Sequence, residues 1–243
     1  MQKEESGEFI SSFSNRSVEE ILDFFLFRYK ERIALASSFS VEDQVLTDLI
    51  IRVDPGARIF TIDTGRLPEE TYEVIMQTMK KYGRGLEIYF PAAADVEEME
   101  SRQGPNLFYE SIEKRKECCT VRKIRPLQRA LRTLEVWITG LRKEQAVTRQ
   151  EIKKIEWDET NNLLKLNPLA DWTAEQVWDY IRGYRLPYNK LHDRGFPSIG
   201  CAPCTRAVEP GEDIRAGRWW WEAPEHKECG LHYRNGKLLG RRA

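Results

Sequence analysis

Short apolar runs alternate with amphipathic segments along the first 140 residues, and this alternation constrains the fold more than any other feature. Each run has the length of a buried strand, and polar loops and segments of helical periodicity lie between the runs. Because parallel strands are joined by crossover helices, this spacing predicts an α/β fold with a mostly parallel sheet flanked by helices on both faces. The predicted strands are 32–38, 57–62, 86–90 and 134–139, and the predicted helices between them are 41–53, 68–82, 106–118 and 121–133.

Further elements are predicted on either side of this alternating region. A capping box formed by Ser17 and Glu20 begins a helix ahead of the first strand. Residues 153–157 and 162–166 form a predicted hairpin, and a helix follows at 173–182. Residues 205–243 have no clear core pattern. We therefore predict a domain at 1–204 and a C-terminal tail at 205–243 that docks on it.

The composition of the chain indicates the compartment in which the protein acts. The chain has 243 residues, of which 41% are hydrophobic and 32% are charged, as is typical of a soluble globular protein. No apolar run approaches the roughly 18 residues of a membrane span, and the polar start of the chain does not resemble a secretory signal. We expect a cytoplasmic protein that acts on neither membranes nor nucleic acids.

The net charge of −1 conceals an uneven distribution of charge. Residues 1–100 hold 11 Lys and Arg against 20 Asp and Glu, whereas residues 101–243 hold 27 against 19. Residues 111–154 alone hold 13 basic and 5 acidic residues. This basic segment indicates either an anionic ligand or a solvated basic helix face, and charge alone leaves both readings open.

Three polar loops follow predicted strands, at the edge of a parallel sheet where ligands bind. The loop 37–43 is rich in serine and precedes a helix, which favours an anion site or a plain helix cap. It lacks the glycine pair and lysine of a P-loop. The second loop is 63–66. The third, 140–149, carries Arg142, Lys143 and Arg149, which suit phosphate or sulfate oxygens or form an exposed basic loop.

The five cysteines divide into two pairs and one single residue, an odd count that argues against a disulfide framework. Cys118 and Cys119 are adjacent, and Cys201 and Cys204 form a C-x₂-C pair. Four thiolates hold zinc or an iron–sulfur cluster, and the adjacent pair fits a zinc knuckle poorly, which favours a 4Fe–4S cluster. Two buried cysteines beside an unrelated pair remain a third reading. Cys229 is either a reactive thiolate or a free surface thiol.

These motifs together resemble assimilatory adenylyl-sulfate (APS) reductases, the cluster-bearing branch of the PAPS/APS reductase family. The resemblance covers about residues 30–233 and rests on the cysteine pairs, on 140–145, on 189–201 and on Glu-Cys-Gly-Leu-His at 228–232. It implies an adenine nucleotide alpha-hydrolase-like fold of the PP-loop type. It also implies reduction of adenylyl sulfate to sulfite and AMP with thioredoxin or glutaredoxin as the thiol donor.

The resemblance also assigns roles to residues. It implies a 4Fe–4S cluster on the four paired cysteines, a nucleophile at Cys229, and catalytic roles for His232 and Lys123. The loop 37–43 departs from the Ser-Gly-Gly-x-Asp-Ser pattern of ATP-cleaving relatives, which argues against ATP cleavage. The implied substrate-binding residues are Ser37, Ser38, Phe39 and Ser40 in this loop, Asp63, Thr64, Gly65 and Arg66 near the nucleoside, and Arg142, Arg149, Arg215 and Arg218 around the phosphosulfate.

The implied chemistry passes through an S-sulfocysteine at Cys229. No second free cysteine remains once the cluster is assigned, so an external dithiol must release sulfite. We also predict that the tail 205–243 closes over the nucleotide as a lid. The alternatives are reduction of PAPS or of both nucleotides, an ATP-dependent thiolase or pyrophosphatase of the same fold, and a non-enzymatic cluster sensor. The sequence leaves homo-oligomerisation open.

Overall fold

A computed structural model describes residues 3–145 and 149–223, and the backbone of the strand pairs at 233–234 and 237–238. Its main sheet has six strands in the order β3-β2-β1-β4-β6-β5. All neighbours in this sheet are parallel except β5 and β6, which form the predicted antiparallel hairpin. The strands are β1 (Ile33–Ala36), β2 (Arg58–Ile62), β3 (Glu87–Tyr89), β4 (Val136–Ile138), β5 (Ile155–Asp158) and β6 (Leu163–Leu166).

Helices cover both faces of this sheet, which confirms the predicted fold class. Alternate strand residues face opposite sides, so Leu35 of β1 packs into the larger core while Ala34 packs into the smaller one. The larger core lies under α2, α3 and α8, and the smaller one lies under α7. The described helices are α1 (Lys3–Phe13), α2 (Val18–Tyr29), α3 (Val41–Val53), α4 (Glu69–Tyr82), α5 (Ala93–Gln103), α6 (Ile112–Cys119), α7 (Arg125–Leu131) and α8 (Ala174–Gly183).

Two helices were not predicted, and the helical boundaries around the first cysteine pair were wrong. Helix α1 contributes only partly buried aromatic and aliphatic side chains to the core, and α5 fully buries only Met99. Ser111 caps α6 by accepting a hydrogen bond from the Lys114 amide, so this helix begins later than predicted. A π-helical turn, Thr120–Ile124, then joins α6 directly to α7.

The described part of the predicted tail packs against the domain. Thr205 pairs with Arg218 through an isolated antiparallel bridge. Trp219 is buried in a cluster with Leu107, Phe108 and two of the paired cysteines. Residues 205–223 therefore extend the core around the cysteines. In the part of the chain that the structure describes, no helix is both long enough and apolar enough to cross a membrane.

Candidate active site

A cavity of about 320 Å³ opens at the carboxyl ends of the central strands. It brings together the three predicted loops and both cysteine pairs. Asp63 and Gly65 belong to the second loop but do not line the cavity. Cys229 and His232 lie outside the described residues. The predicted site residues that line it are Ser37, Ser38, Phe39, Ser40, Thr64, Arg66, Cys118, Cys119, Lys123, Arg142, Arg149, Cys201, Cys204, Arg215 and Arg218.

The serine-rich loop is held by the carboxylate of Asp43 at the start of α3. Oδ2 of Asp43 accepts hydrogen bonds from the amide and the hydroxyl of Ser38, both at 2.7 Å. Phe39 has a positive φ of 59°, and its ring packs with Val74 away from solvent. Burial raises the pKa of Asp43 to about 6. The hydrogen bonds from Ser38 favour the carboxylate and oppose this shift, but burial has the larger effect. Ser40 occupies the cap position of α3, but its hydroxyl makes no capping bond, so the plain helix-cap reading does not hold for this residue.

The loop after β4 passes directly over Asp43, and only a glycine allows this approach. A Cβ atom added at Gly140 would lie 2.4 Å from Oδ1 of Asp43 and 3.0 Å from Cβ of Glu42. Real Cβ atoms essentially never come so close to another atom. The backbone at Gly140 therefore packs directly against the end of the serine-rich loop, and the two loops together form one edge of the cavity.

Arg142 ties these same two loops together from inside the protein. Its Nε and Nη2 atoms each lie 2.9 Å from Oε1 of Glu42, and both side chains are only 7% exposed. Its Nη1 atom donates to the Trp172 carbonyl and to Glu144, each at 3.2 Å. These contacts engage every nitrogen of the guanidinium with protein acceptors. Binding of phosphosulfate by Arg142 stays a prediction.

The second loop connects β2 to the cysteine region. Asp63 accepts hydrogen bonds from the Gly65 amide at 2.8 Å and from the Tyr72 hydroxyl at 3.0 Å. The hydroxyl of Thr64 lies 3.2 Å from Sγ of Cys201. The guanidinium of Arg66 lies 5.0 Å from the ring centroid of Phe108, a neighbour of Cys118 in the buried cluster. This loop therefore supports the cysteine region as well as the cavity.

Three of the paired cysteines lie in or against one buried cluster, the Cys119 thiol is close enough to affect the pKa of Cys204, and none of the four is in a disulfide. Cys118 and Cys204 are buried together with Met99 and Trp219, and Cys201 packs against them. Burial raises the pKa of Cys118 to about 11, and it raises the pKa of Cys204 still further with a contribution from the other three thiols. Such thiols become thiolates only when a cationic centre compensates the charge.

This donor set fits an iron–sulfur cluster in its chemistry. Four soft sulfur ligands are the donor set that such a cluster requires. Within residues 3–145 and 149–223, no three Cys, His, Asp or Glu side chains are grouped as they are around a single metal ion.

Basic side chains surround the cysteines, and two of them, Arg115 and Arg122, belong to the basic segment 111–154 but were not predicted as site residues. Arg115 is fully buried and forms a bidentate pair with Glu222, with both contacts at 2.8 Å. Arg122 donates to the Thr64 carbonyl at 2.8 Å and pairs with Glu100 at 2.5 Å. Both line the cavity. The sequence placed both arginines in the basic segment 111–154, but it did not indicate that their side chains are buried.

Lys123 and Arg218, two of the predicted site residues, also line the cavity. Lys123 belongs to the π-helical turn that follows Cys119 and is half-buried. Arg218 donates to the Ile199 carbonyl at 3.1 Å, and its guanidinium lies 4.7 Å from the ring centroid of Trp219. The guanidinium of Arg218 packs so closely against Gly200 that a Cβ atom added at Gly200 would lie 2.2 Å from Nη2 of Arg218. The cavity thus combines polar loops, buried thiols and fixed positive charge.

This sheet, with its cavity at the carboxyl ends of the central strands, defines a nucleotide-binding α/β protein of the PP-loop type. The fold is shared by FMN adenylyltransferase of Candida glabrata, with a TM-score of 0.54 at 15% identity over 97% of this chain and 76% of that one. Residues 32–207 match the phosphoadenosine phosphosulfate reductase domain, and the chain belongs to this family.

Curated relatives and a solved structure agree with this assignment. Adenosine 5'-phosphosulfate reductase of Allochromatium vinosum is 54% identical over 207 residues, which are 85% of this chain and 81% of that protein. The protein of the same name from Burkholderia cepacia is 48% identical over 88% of this chain and 86% of its own length. The phosphoadenylyl-sulfate reductase of Candida auris has a TM-score of 0.73 at 26% identity, covering 86% of this chain and 98% of that one.

Proposed function

We propose that the protein reduces adenylyl sulfate to sulfite and AMP in assimilatory sulfate reduction. The observation that carries this proposal is the convergence of both cysteine pairs and several Arg and Lys side chains on one nucleotide-sized cavity. The relatives with 46–54% identity are named adenosine 5'-phosphosulfate reductase, which supports the same substrate. The ATP-dependent alternative is not favoured, because the loop 37–43 lacks the pyrophosphate-binding pattern.

The reaction proceeds in two sulfur-transfer steps. The thiolate of Cys229 attacks the sulfur of adenylyl sulfate, and the bond from sulfur to the bridging phosphate oxygen breaks. AMP leaves with that electron pair, and Cys229 carries the sulfonate as S-sulfocysteine. One thiolate of a thioredoxin or glutaredoxin dithiol then attacks the Cys229 sulfur, and sulfite leaves with the electron pair of the sulfur–sulfur bond. The second thiol attacks the resulting mixed disulfide, which frees the Cys229 thiolate and leaves the donor as a disulfide. The dithiol thereby supplies the two electrons that reduce the sulfur.

The basic side chains of the cavity act on the charge of this reaction. Negative charge grows on the leaving phosphate and remains on the sulfonate, and fixed guanidinium and ammonium groups stabilise it without reorganisation. Lys123, Arg149, Arg215 and Arg218 line the cavity and are suited to this role. The two loops locked at Gly140 and Asp43 hold the nucleotide in place while the sulfur is transferred.

The cofactor in this proposal is a 4Fe–4S cluster held by Cys118, Cys119, Cys201 and Cys204. When bound, the cluster would supply iron charge that keeps the four thiols ionised, including those of the buried Cys118 and Cys204. Anaerobically purified protein should be brown and contain iron and acid-labile sulfide in near-equal amounts. Stoichiometric zinc without sulfide would show that the cofactor is wrong while leaving the nucleotide chemistry to be tested separately.

We also propose which part of the chain performs each function and in which compartment the protein acts. Residues 1–204 bind the nucleotide and the cluster, and residues 205–243 bring the reactive thiol and close over the nucleotide. The five cysteines, an odd count that argues against a disulfide framework, support a reducing compartment such as the cytoplasm.

A Cys229→Ser variant tests the proposed function. The variant should retain the cluster absorbance and bind AMP, yet release no sulfite from adenylyl sulfate with excess reduced thioredoxin. Wild-type protein given adenylyl sulfate alone should release one AMP per protein and gain a sulfonate on the peptide that contains Cys229. If AMP appears only after thioredoxin is added, and no adduct forms, the external thiol attacks the substrate directly and the two-step proposal fails.

A further inference from the structure

Gly200 does not line the cavity, although its two neighbours in the chain, Ile199 and Cys201, do. Its φ lies outside the left-handed region, so its backbone conformation does not require a glycine. The space beside it does. A Cβ atom added at Gly200 would lie 2.2 Å from Nη2, 2.5 Å from Cζ and 3.0 Å from Nη1 of Arg218. The guanidinium of Arg218 therefore occupies the place that a side chain at residue 200 would take.

Two further groups hold the same guanidinium. Its Cζ atom lies 4.7 Å from the ring centroid of Trp219, whose side chain is only 2% exposed, and this cation–π contact is favourable. Its Nη1 atom donates a hydrogen bond to the Ile199 carbonyl at 3.1 Å. We call the space bounded by Gly200, the Ile199 carbonyl and the Trp219 indole the arginine slot.

Backbone contacts fix the parts of the arginine slot relative to each other. The Gly200 amide donates to the Thr205 hydroxyl at 3.1 Å, and Thr205 pairs with Arg218 through the antiparallel bridge. The Trp219 amide donates to the Cys204 carbonyl at 3.1 Å. Because the main chain is held on both sides, a side chain at residue 200 would displace the flexible end of Arg218 and leave the backbone in place.

The arginine slot fixes a positive charge at the cavity. Arg218 lines the cavity, and a guanidinium binds phosphate or sulfate oxygens through its planar fork of N–H donors. A free arginine side chain loses rotamer entropy when it binds an anion. The slot holds the guanidinium in one orientation before the ligand arrives, so less entropy is lost on binding.

We propose that Gly200 is a positioning residue for the substrate, because the open arginine slot directs Arg218 towards an anionic group of adenylyl sulfate. That group is the phosphate or the sulfonate, which present the same kind of oxygen to a guanidinium. Gly200 acts only through Arg218, since it does not line the cavity itself. The proposal rests on the proposed function, because it requires adenylyl sulfate in the cavity.

The test measures the binding of adenylyl sulfate and AMP to the holoprotein by titration calorimetry, in Cys229→Ser protein so that no sulfur is transferred. Gly200→Ala should bind adenylyl sulfate about tenfold to a hundredfold more weakly, the effect of one displaced charge-assisted hydrogen bond. A loss for adenylyl sulfate alone assigns the sulfonate as the partner of Arg218, and an equal loss for AMP assigns the phosphate. Gly183→Ala is the matched control, because a Cβ atom added there meets nothing within 4 Å.

A double-mutant cycle separates positioning from a purely structural role. Arg218→Ala alone should weaken binding by a factor similar to that of Gly200→Ala. Adding Gly200→Ala to Arg218→Ala should cause no further loss, since the guanidinium that the methyl group displaces is already absent. A structural effect of the methyl group would persist in that background. The bound metal and the thermal unfolding midpoint of Gly200→Ala should match those of the parent protein, because only the end of a side chain must move.

Three results would overturn the role of Gly200. They are unchanged affinity for adenylyl sulfate in Gly200→Ala, a further loss of affinity in the double variant, and loss of bound metal from Gly200→Ala. If the Cys229→Ser parent binds neither adenylyl sulfate nor AMP, the nucleotide site of the proposed function is refuted, and this proposal with it.

Discussion

Replacing Arg142 with methionine should destabilise the protein strongly, because it removes one partner of an ion pair that is buried on both sides. Both side chains are 7% exposed, and two guanidinium nitrogens lie 2.9 Å from the same Glu42 oxygen. Methionine fills much of the volume but leaves the buried carboxylate of Glu42 without its counter-charge. The hydrogen bond to the Trp172 carbonyl is lost at the same time.

The expected magnitude follows from the burial. Removing one partner of a buried pair typically costs about 3–5 kcal/mol. In a protein of this size, each kcal/mol lowers the unfolding midpoint by roughly 2–4 °C, so the midpoint should fall by about 6–20 °C. A substrate-binding arginine at an exposed position would lower the midpoint by far less.

The assay is thermal unfolding of the purified holoprotein followed by circular dichroism. Lys143→Met is a matched control on the same loop, because it removes a positive charge whose partner, Asp171, is half-exposed. Its free energy of unfolding should stay within about 0.5 kcal/mol of wild type. Adding Glu42→Gln to Arg142→Met should recover part of the loss, since it removes the stranded charge. If Arg142→Met unfolds like the control but binds AMP more weakly, Arg142 is a ligand residue and the reasoning is wrong.

Three further predictions concern the cavity. Gly140→Ala should weaken AMP binding at least about tenfold in calorimetry, because its Cβ atom would lie 2.4 Å from Asp43 and must displace a loop. Unchanged affinity would contradict the close packing of the two loops. Burial raises the pKa of Asp43 from 3.8 to about 6, so the stability that its protonated form contributes is present below about pH 4 and lost as pH rises through 6. Between pH 4 and 7, the free energy of unfolding measured in urea should therefore fall less for Asp43→Asn than for wild type. An equal fall in both proteins would refute the raised pKa of Asp43. Lys123→Ala should release no sulfite, while its circular dichroism spectrum matches that of wild type. If the variant turns over at the wild-type rate, Lys123 is only a surface charge.

Local patterns were sufficient to predict the sheet and the position of the cavity. The runs that became β1, β2, β3 and β4 are short and apolar, and each is followed by a polar loop or turn. Because the carboxyl ends of parallel strands share one edge, the serine-rich loop and the loop at Gly140 were expected to meet. The hairpin of β5 and β6 was predicted from its central turn, and the structure confirms it.

Features that depend on contacts between distant parts of the chain were not visible in the sequence. Arg115 was visible only as one charge of the basic segment 111–154, yet it is fully buried and Glu222, 107 residues away, neutralises it. Helix α5 was missed because it fully buries a single side chain, Met99, and so shows no apolar stripe.

The pairing of Arg115 with Glu222 also determines where this chain can be divided and recombined with a relative. A chimaera joined at residue 204 would separate the two partners, and a mismatched replacement for Glu222 would leave the buried Arg115 without its balancing carboxylate. The same join would remove Trp219 from the cluster that encloses Cys118 and Cys204. A join after residue 223 keeps both contacts within one parent. Exchange of C-terminal segments between members of the family should therefore be tolerated there and be costly at 204.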